Sequence, residues 1–324
     1  MHDFILTLLE MTIAGNIAFL IVKGIRYFMG NDVSSILYYR LLKGCLFCYL
    51  TPAYFLRLLI VEQGRPFGLY DSHVRSYYWQ YYGSILVFCF GVIFYIKRKR
   101  SLQKQYMKNL NRTSYPCTHP ELDCCMGEIK REYRVPKGVQ IQVFINDCIT
   151  SPMLAGVEQS AIYLPNIALS KEELKYVLAH EMVHYIQKDL RTARILHVLK
   201  TIFIFDFGVQ MYFNEISNWV ECSVEETMFR KSFDFSPKRY ARVLQMFLNG
   251  ERFQSCCQVV YINNRDLKGF KIRLEQMKHH KKRKKRAGII SSVALLCAIP
   301  LAMAIGVGIT TKLAVYFETI TFLS

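Results

Sequence analysis

The chain has 324 residues, of which 52% are hydrophobic, and it carries a formal net charge of +17. Its basic residues crowd the ends of long apolar runs, which indicates a membrane protein and makes nucleic-acid binding the weaker explanation of the charge. Its eleven cysteines are odd in number and scattered, which argues against a secreted disulfide framework and favours reduced cytosolic thiols.

Four apolar runs are predicted to span a membrane, because each is about as long as the hydrocarbon layer requires. They cover residues 4–22, 44–61, 79–96 and 287 to about 307. The excess of Lys and Arg after the first and third runs places residues 23–43 and the chain beyond 97 in the cytosol. The predicted organisation is therefore three transmembrane helices in 1–96, a cytosolic domain in 97–286, and a fourth helix with a short tail in 287–324.

Two short strands are predicted early in the cytosolic domain. Residues 139–145 alternate between apolar and polar side chains, and residues 160–165 form a second short apolar run. Turn residues at 150–156 separate the two. The second strand is interpreted either as an ordinary hairpin partner or as a sheet edge that pairs with an extended substrate. The residues that would contact the substrate are Ala161, Ile162, Tyr163 and Leu164.

A capping box formed by Ser170 and Glu173, with no Pro or Gly in the positions that follow, predicts a helix. On that helix His180 and His184 lie one turn apart and point the same way, so both imidazoles can bind one Zn²⁺. Glu181 beside them can hold a water molecule on the metal and take its proton. The plainer alternative is a helix with two ordinary histidines and a surface glutamate.

A zinc site of this kind needs a third protein ligand, and the next long segment offers a periodic set of polar residues. They fall at helical spacing: Asp206, Gln210, Asn214, Ser217, Glu221 and Glu225. We predict Glu221 as the ligand and Glu225, one turn further on, as a group that orients a histidine. The alternative is that this stripe is only the solvent face of an interfacial helix.

Membrane topology restricts this assignment. A single crossing by residues 195–213 would leave Glu221 about 30 Å from His184, which is the thickness of the hydrocarbon layer. Two groups that far apart cannot bind one ion. Residues 195–213 are therefore predicted to form a membrane-interfacial helix or to dip into the interface. Otherwise Glu221 is not a ligand.

Four segments together resemble the core of the BlaR/MecR membrane metallopeptidases, the beta-lactam sensor-transducers. They are Ser151–Gly156, Ile162–Pro165, His180–Asp189 and Glu221–Glu225. The order of the apolar runs is similar too, so the resemblance covers roughly residues 4–306. It implies that His180, His184 and Glu221 bind the zinc ion while Glu181 acts as the base.

Asp189 and Glu225 are predicted as supporting groups of this site, although the family commonly has an aspartate where this chain has Glu225. The implied fold is a multi-pass α-helical membrane protein with a small α+β, gluzincin-like zinc-peptidase domain on the cytosolic side of a bacterial cell membrane. The sensor-transducers carry an external penicillin-binding domain after the fourth span. Here only a short tail follows, so sensing of antibiotics by that route is not expected.

The function implied by this resemblance is a regulatory zinc endopeptidase that cleaves a cytosolic, DNA-binding repressor. Its expected partners are that protein or peptide substrate and the lipid bilayer, without direct binding of nucleic acid. Two alternatives remain: a membrane protease for quality control or peptide processing, and a non-catalytic signalling scaffold stabilised by zinc.

Overall fold

The computed structural model describes residues 2–51, 74–136, 138–231, 235–248, 267–279, 300–309 and 312, which are mostly helical with one small sheet. The helices are α1 (His2–Met29), α2 (Ser35–Leu50), α3 (Val74–Thr113), α4 (Leu122–Glu132), α5 (Lys171–Gln187), α6 (Asp189–Ile202), α7 (Phe207–Lys231), α8 (Pro237–Leu248), α9 (Leu267–His279) and α10 (Pro300–Ile309). The strands are β1 (Ser114–Pro116), β2 (Gln142–Asn146), β3 (Met153–Ala155) and β4 (Ala161–Pro165).

Helix α1 contains the first predicted span. Its segment Leu8–Met29 is the one stretch, within the described part of the chain, that is long and apolar enough to cross a membrane. The helix passes the predicted limit at 22 and includes Arg26, whose guanidinium donates a 2.8 Å hydrogen bond to the Val33 carbonyl. The basic residues that were expected to end the span therefore lie on the same helix.

The other predicted spans are described only in part. Helix α2 begins at Ser35, well before the predicted run at 44–61, because the Ser34 side chain caps it, and residues 52–61 lie outside the described residues. The run at 79–96 belongs to α3, which continues to Thr113. Of the fourth run, only α10 is described. Several crossings of the membrane therefore stay a prediction.

Helices α6 and α7 form a hairpin where one interfacial helix was predicted at 195–213. The chain leaves α6 after Ile202 and re-enters a helix at Phe207. Asp206 ends the turn, because its carboxylate accepts hydrogen bonds from the backbone N–H groups of Gly208 and Val209 at 2.6 and 3.2 Å. The prediction of one continuous helix was thus wrong, while its alternative, a dip of this segment into the interface, stays a prediction. The reversal returns α7 toward α5, which removes the 30 Å separation expected for a single crossing.

The sheet has the strand order β1-β2-β4-β3, so β4 lies in its interior. It pairs in parallel with β2 and antiparallel with β3. The edge-strand interpretation of Ala161, Ile162, Tyr163 and Leu164 is therefore wrong, because both sides of this strand already have a neighbour. The residues predicted as a turn at 150–156 include β3, and β3 forms one edge of the sheet, with β1 at the other.

Two hydrophobic cores meet along α7. The first is formed mainly by α1, α2, α6 and the first half of α7, including Tyr212. The second is formed by the sheet, α4, α5, α8 and the end of α7, including Met228. Glu221 lies where α7 passes from one core to the other.

Candidate metal centre

Helix α5 presents the two histidines of the motif on one face. The predicted capping box is confirmed, since Ser170 accepts from the Glu173 backbone and the Glu173 side chain accepts from the Ser170 backbone. Because His180 and His184 are one turn apart, their Nε2 atoms lie 3.1 Å from each other. The two nitrogens thus point into the same small space.

Helix α7 brings Glu221 to that space. One carboxylate oxygen lies 3.3 Å from His180 Nε2, and the other lies 3.6 Å from His184 Nε2. Glu221 is buried, as are Ser217 and Glu225 of the same polar stripe. This part of the stripe therefore faces the protein interior, which excludes the solvent-face alternative for Glu221.

The remaining ring nitrogens of the two histidines are held by other side chains. Asp189 Oδ2 lies 2.9 Å from His184 Nδ1, and the Tyr240 hydroxyl lies 2.8 Å from His180 Nδ1. With both Nδ1 atoms in hydrogen bonds, the Nε2 atoms are left to bind a metal ion. Asp189 reaches its partner because Lys188 adopts a left-handed conformation (φ 58°) that ends α5 and redirects the chain.

Glu181 lies beside the triad and is buried against the sheet. Its carboxylate accepts a hydrogen bond from the backbone N–H of Leu154 in β3, the edge strand. Burial raises the pKa of Glu181, because a carboxylate loses its hydration there. A carboxyl group whose pKa is raised is a better proton acceptor than an exposed glutamate.

The triad is suited to a small cation. Its ligand atoms all lie within 4.8 Å of one another. Ligands placed about 2.1 Å from a tetrahedral ion are about 3.4 Å apart, close to the distances between these atoms. Two imidazoles and a carboxylate also match the donors that zinc prefers.

The electrostatics of the site likewise favour a positive charge between the ligands. Burial opposes the charged form of His184, but Glu221 and Asp189 outweigh it and raise its pKa to about 9. Burial opposes the charged form of Glu221 too, yet Arg273 and the two histidines hold its pKa well below the ordinary value. A bound metal ion would take the place of the proton on His184.

A comparison with models of protein families matches residues 6–274 of this chain, which is most of its length, to BlaR1 peptidase M56. The chain belongs to the BlaR1 peptidase M56 family. The resemblance drawn from the motifs is confirmed at the level of the family, which makes the chain a relative of membrane-associated metallopeptidases. A search of curated proteins found no match.

In this member of the BlaR1 peptidase M56 family, Glu225 contacts an arginine and not the histidine that we predicted. Arg273 of α9 donates from Nε to Glu225 Oε1 at 2.6 Å, and its Nη1 lies 3.6 Å from Glu221. All three side chains are buried. Glu225 thus holds Arg273, and Arg273 in turn approaches the carboxylate that faces the histidines.

Replacing Arg273 by Met is expected to lower the free energy of unfolding of the detergent-solubilised protein by about 3–5 kcal/mol, because two carboxylates remain buried without their cation. The measurement is denaturant unfolding. The matched control is Arg239→Met, which removes an exposed arginine paired with Glu172 at 2.7 Å. Equal stability of the two variants would contradict the assigned role of Arg273.

Replacing Asp189 by Asn is expected to weaken zinc binding about 10–100-fold, because His184 loses the carboxylate that fixes its ring. Competition with a chromophoric chelator measures this affinity. Asp123→Asn, at an exposed position of α4, is the control and should leave the affinity unchanged. An unchanged affinity in both variants would show that the Asp189 contact does not support metal binding.

Four residues of the site were missed by reasoning from the sequence. They are Tyr240, Arg273, Tyr39 and Lys43; the Tyr39 hydroxyl and the Lys43 ammonium contact Asp189 at 2.7 and 3.2 Å. Each is far along the chain from the motif, and none belongs to a recognisable spacing pattern. The burial of Arg273 is seen only in the structure, so the sequence offered no signal for any of the four.

Proposed function

We propose that this chain is a zinc endopeptidase of the membrane, with the peptidase residues on the cytosolic side. The observation that carries the proposal is the convergence of His180, His184 and Glu221 while other side chains hold both Nδ1 atoms. A structural zinc site would more often be closed by a fourth protein ligand. Here three ligands stand beside a buried carboxylate, which leaves one position for water or substrate.

The side chains of the site have different roles in peptide hydrolysis. Zinc supplies a Lewis acid for the scissile carbonyl and lowers the pKa of a water molecule that it binds. Glu181 accepts the proton of the attacking water and passes it to the leaving amine. Asp189 and Tyr240 keep the two imidazoles in the orientation that the ion requires.

The outer edge of β3, the last strand in the order of the described sheet, is the proposed place for an extended substrate. The Leu154 N–H already donates to Glu181, which places β3 beside the base, so a substrate strand would pair with other backbone groups of β3. This replaces the earlier interpretation of β4, which is enclosed by β2 and β3. Peptide bonds presented at β3 would therefore lie next to the triad.

For the substrate we propose a cytosolic repressor-type protein, so that cleavage transmits a signal. Membership of the BlaR1 peptidase M56 family supports this choice, as does the excess of basic residues that assigns the domain to the cytosol. In this reading the chain itself makes no direct contact with nucleic acid. The Lys/Arg clusters beside the apolar runs would contact anionic lipid.

The test is comparative proteomics of cells that carry the parent protein or the Glu181→Gln variant. We expect one DNA-binding repressor to persist uncut in the variant and to appear as fragments with the parent. Accumulation of damaged membrane proteins would favour quality control instead. Identical proteomes with an unchanged signalling output would favour a zinc-stabilised scaffold.

A further inference from the structure

The turn of the α6–α7 hairpin exposes large apolar side chains. Ile204 is 61% exposed, Phe205 96% and Phe207 76%. Soluble surfaces rarely carry three such neighbours, and clusters of this kind mark contact with a partner or a membrane. The position of the turn relative to α1 indicates that the partner is the membrane.

Helices α1 and α7 lie side by side and run in the same direction. Three contacts fix their register: Asn16 to Asp206 at 3.0 Å, the Phe19 ring to the Tyr212 ring at 5.5 Å, and the Arg26 guanidinium to the Trp219 ring at 4.5 Å. In all three pairs, a higher residue number on α1 goes with a higher residue number on the α7 side. The depth of a residue on α7 in a membrane can therefore be read from the α1 residue beside it.

This register gives the depth of the turn. Between Asn16 and Met29 a helix rises about 20 Å at 1.5 Å per residue. The hydrocarbon layer is about 30 Å thick. If Leu8–Met29 crosses that layer, the turn at Asp206 lies near its middle, while Glu221 on α7 is level with the Met29 end.

The surroundings of the turn also suit a lipid environment. Neighbouring helices expose further apolar side chains: Leu20 of α1 at 61%, Phe47 of α2 at 59% and Ile305 of α10 at 38%. The polar groups at this depth have partners, since Asn16 donates to Asp206 and accepts from the Tyr49 hydroxyl at 2.6 Å. Backbone groups at membrane depth need partners within the protein, and in this turn the Phe203 and Asp206 N–H groups donate to the Leu199 and Phe203 carbonyls.

One cation lies close to the turn. The Lys200 ammonium is 4.4 Å from the centre of the Phe213 ring. An aromatic face stabilises a cation away from water, and the long side chain of lysine can extend toward the headgroups. Lys200 is therefore compatible with a lipid environment for the apolar tip.

We propose that the α6–α7 hairpin is a re-entrant membrane element whose tip, Ile204, Phe205 and Phe207, contacts lipid acyl chains. The hairpin enters and leaves on the Met29 side of the bilayer. It holds the metal centre at the membrane surface, so the preferred substrate is a polypeptide segment that reaches that surface. This inference rests on the proposed membrane-spanning role of α1 and goes beyond the proposed peptidase activity.

The test measures lipid contact directly, with single tryptophan substitutions in the full chain reconstituted into phosphatidylcholine–phosphatidylglycerol vesicles. Phe205→Trp probes the tip, Leu20→Trp probes the exposed face of α1, and Tyr115→Trp on β1 is the control away from both. The emission of the native Trp79 and Trp219 is subtracted with the parent protein. Brominated lipids quench an indole that touches their acyl chains.

We expect the Phe205→Trp and Leu20→Trp signals to fall at least about twofold more than the Tyr115→Trp signal, because bromine quenches over only part of the 30 Å layer. Bromines near the chain ends should quench at position 205 more than bromines near the headgroups. Quenching at 20 but not at 205 would overturn the hairpin proposal. Stronger quenching at 205 by the shallow bromines would also overturn it, in favour of an interfacial helix.

Loss of quenching at both 20 and 205 would overturn the hairpin proposal together with the membrane span of α1. None of these results depends on catalysis. A protein that fails the quenching test and still cleaves its substrate therefore separates the hairpin proposal from the peptidase proposal.

Discussion

Replacing Glu181 by Gln is expected to reduce kcat/KM for peptide cleavage by about two to four orders of magnitude, which is the usual contribution of general acid–base catalysis. The amide has nearly the same shape as the carboxylate but cannot accept the proton of the attacking water. Because Glu181 is not one of the three converging ligands, the variant should keep its zinc. Steady-state kinetics on the identified substrate, with metal analysis of the same sample, measures both quantities.

The matched control for this variant is Glu172→Gln, an exposed glutamate in the first turn of the same helix. It should leave both the rate and the metal content unchanged. A Glu181→Gln protein that still cleaves at the parent rate would remove Glu181 from the mechanism. If the Glu181→Gln variant also loses its zinc, the lower rate would be explained by the loss of metal and not by the loss of the base.

Replacing Glu221 by Ala is expected to abolish metal retention during purification, and with it the cleavage activity. Its two oxygens lie 3.3 and 3.6 Å from the histidine nitrogens, and among the described residues no other acid joins the two histidines in this cluster. The loss of zinc affinity should exceed the 10–100-fold that follows from removing a supporting group. Elemental analysis and chelator competition provide the measurement.

Glu275→Ala provides the control for this second prediction. Glu275 is exposed on α9, two residues after Arg273, and it is not one of the three converging ligands. The control protein should hold zinc as the parent does. Full zinc occupancy in Glu221→Ala would show that α7 does not supply the third ligand, and the peptidase assignment would need another acid.

The local sequence pattern was sufficient to predict contacts that lie within one helix. The spacing of His180 and His184 and the capping box at Ser170 are set by the geometry of a single helical turn, so both could be predicted. The same reasoning selected Glu221 from a periodic stripe on a different helix. Its approach to the histidines could not be derived, because it depends on the turn at Asp206.

The turn at Asp206 shows how one polar side chain can end a helix that the periodicity of the sequence predicts to continue. Residues 195–213 look like one apolar helix when they are averaged, and a single helix creates a conflict with the membrane thickness. Asp206 caps α7 and bonds Asn16 of α1, so a contact 190 positions away helps to fix where the chain reverses. The same limit applies to β3, whose pairing with β4 decided which strand is the edge.

The sequence by itself determined the motif helix, its two facing imidazoles, the first long apolar helix and the family to which the chain belongs. Only the tertiary structure decided that Tyr240 holds His180, that Arg273 holds Glu225, and that β3 is the edge beside Glu181. The physical reason is the separation along the chain between the groups that interact. Helix geometry and capping act within a few residues, whereas the contact of Tyr240 with His180 joins positions 60 residues apart and exists only once the two hydrophobic cores have packed.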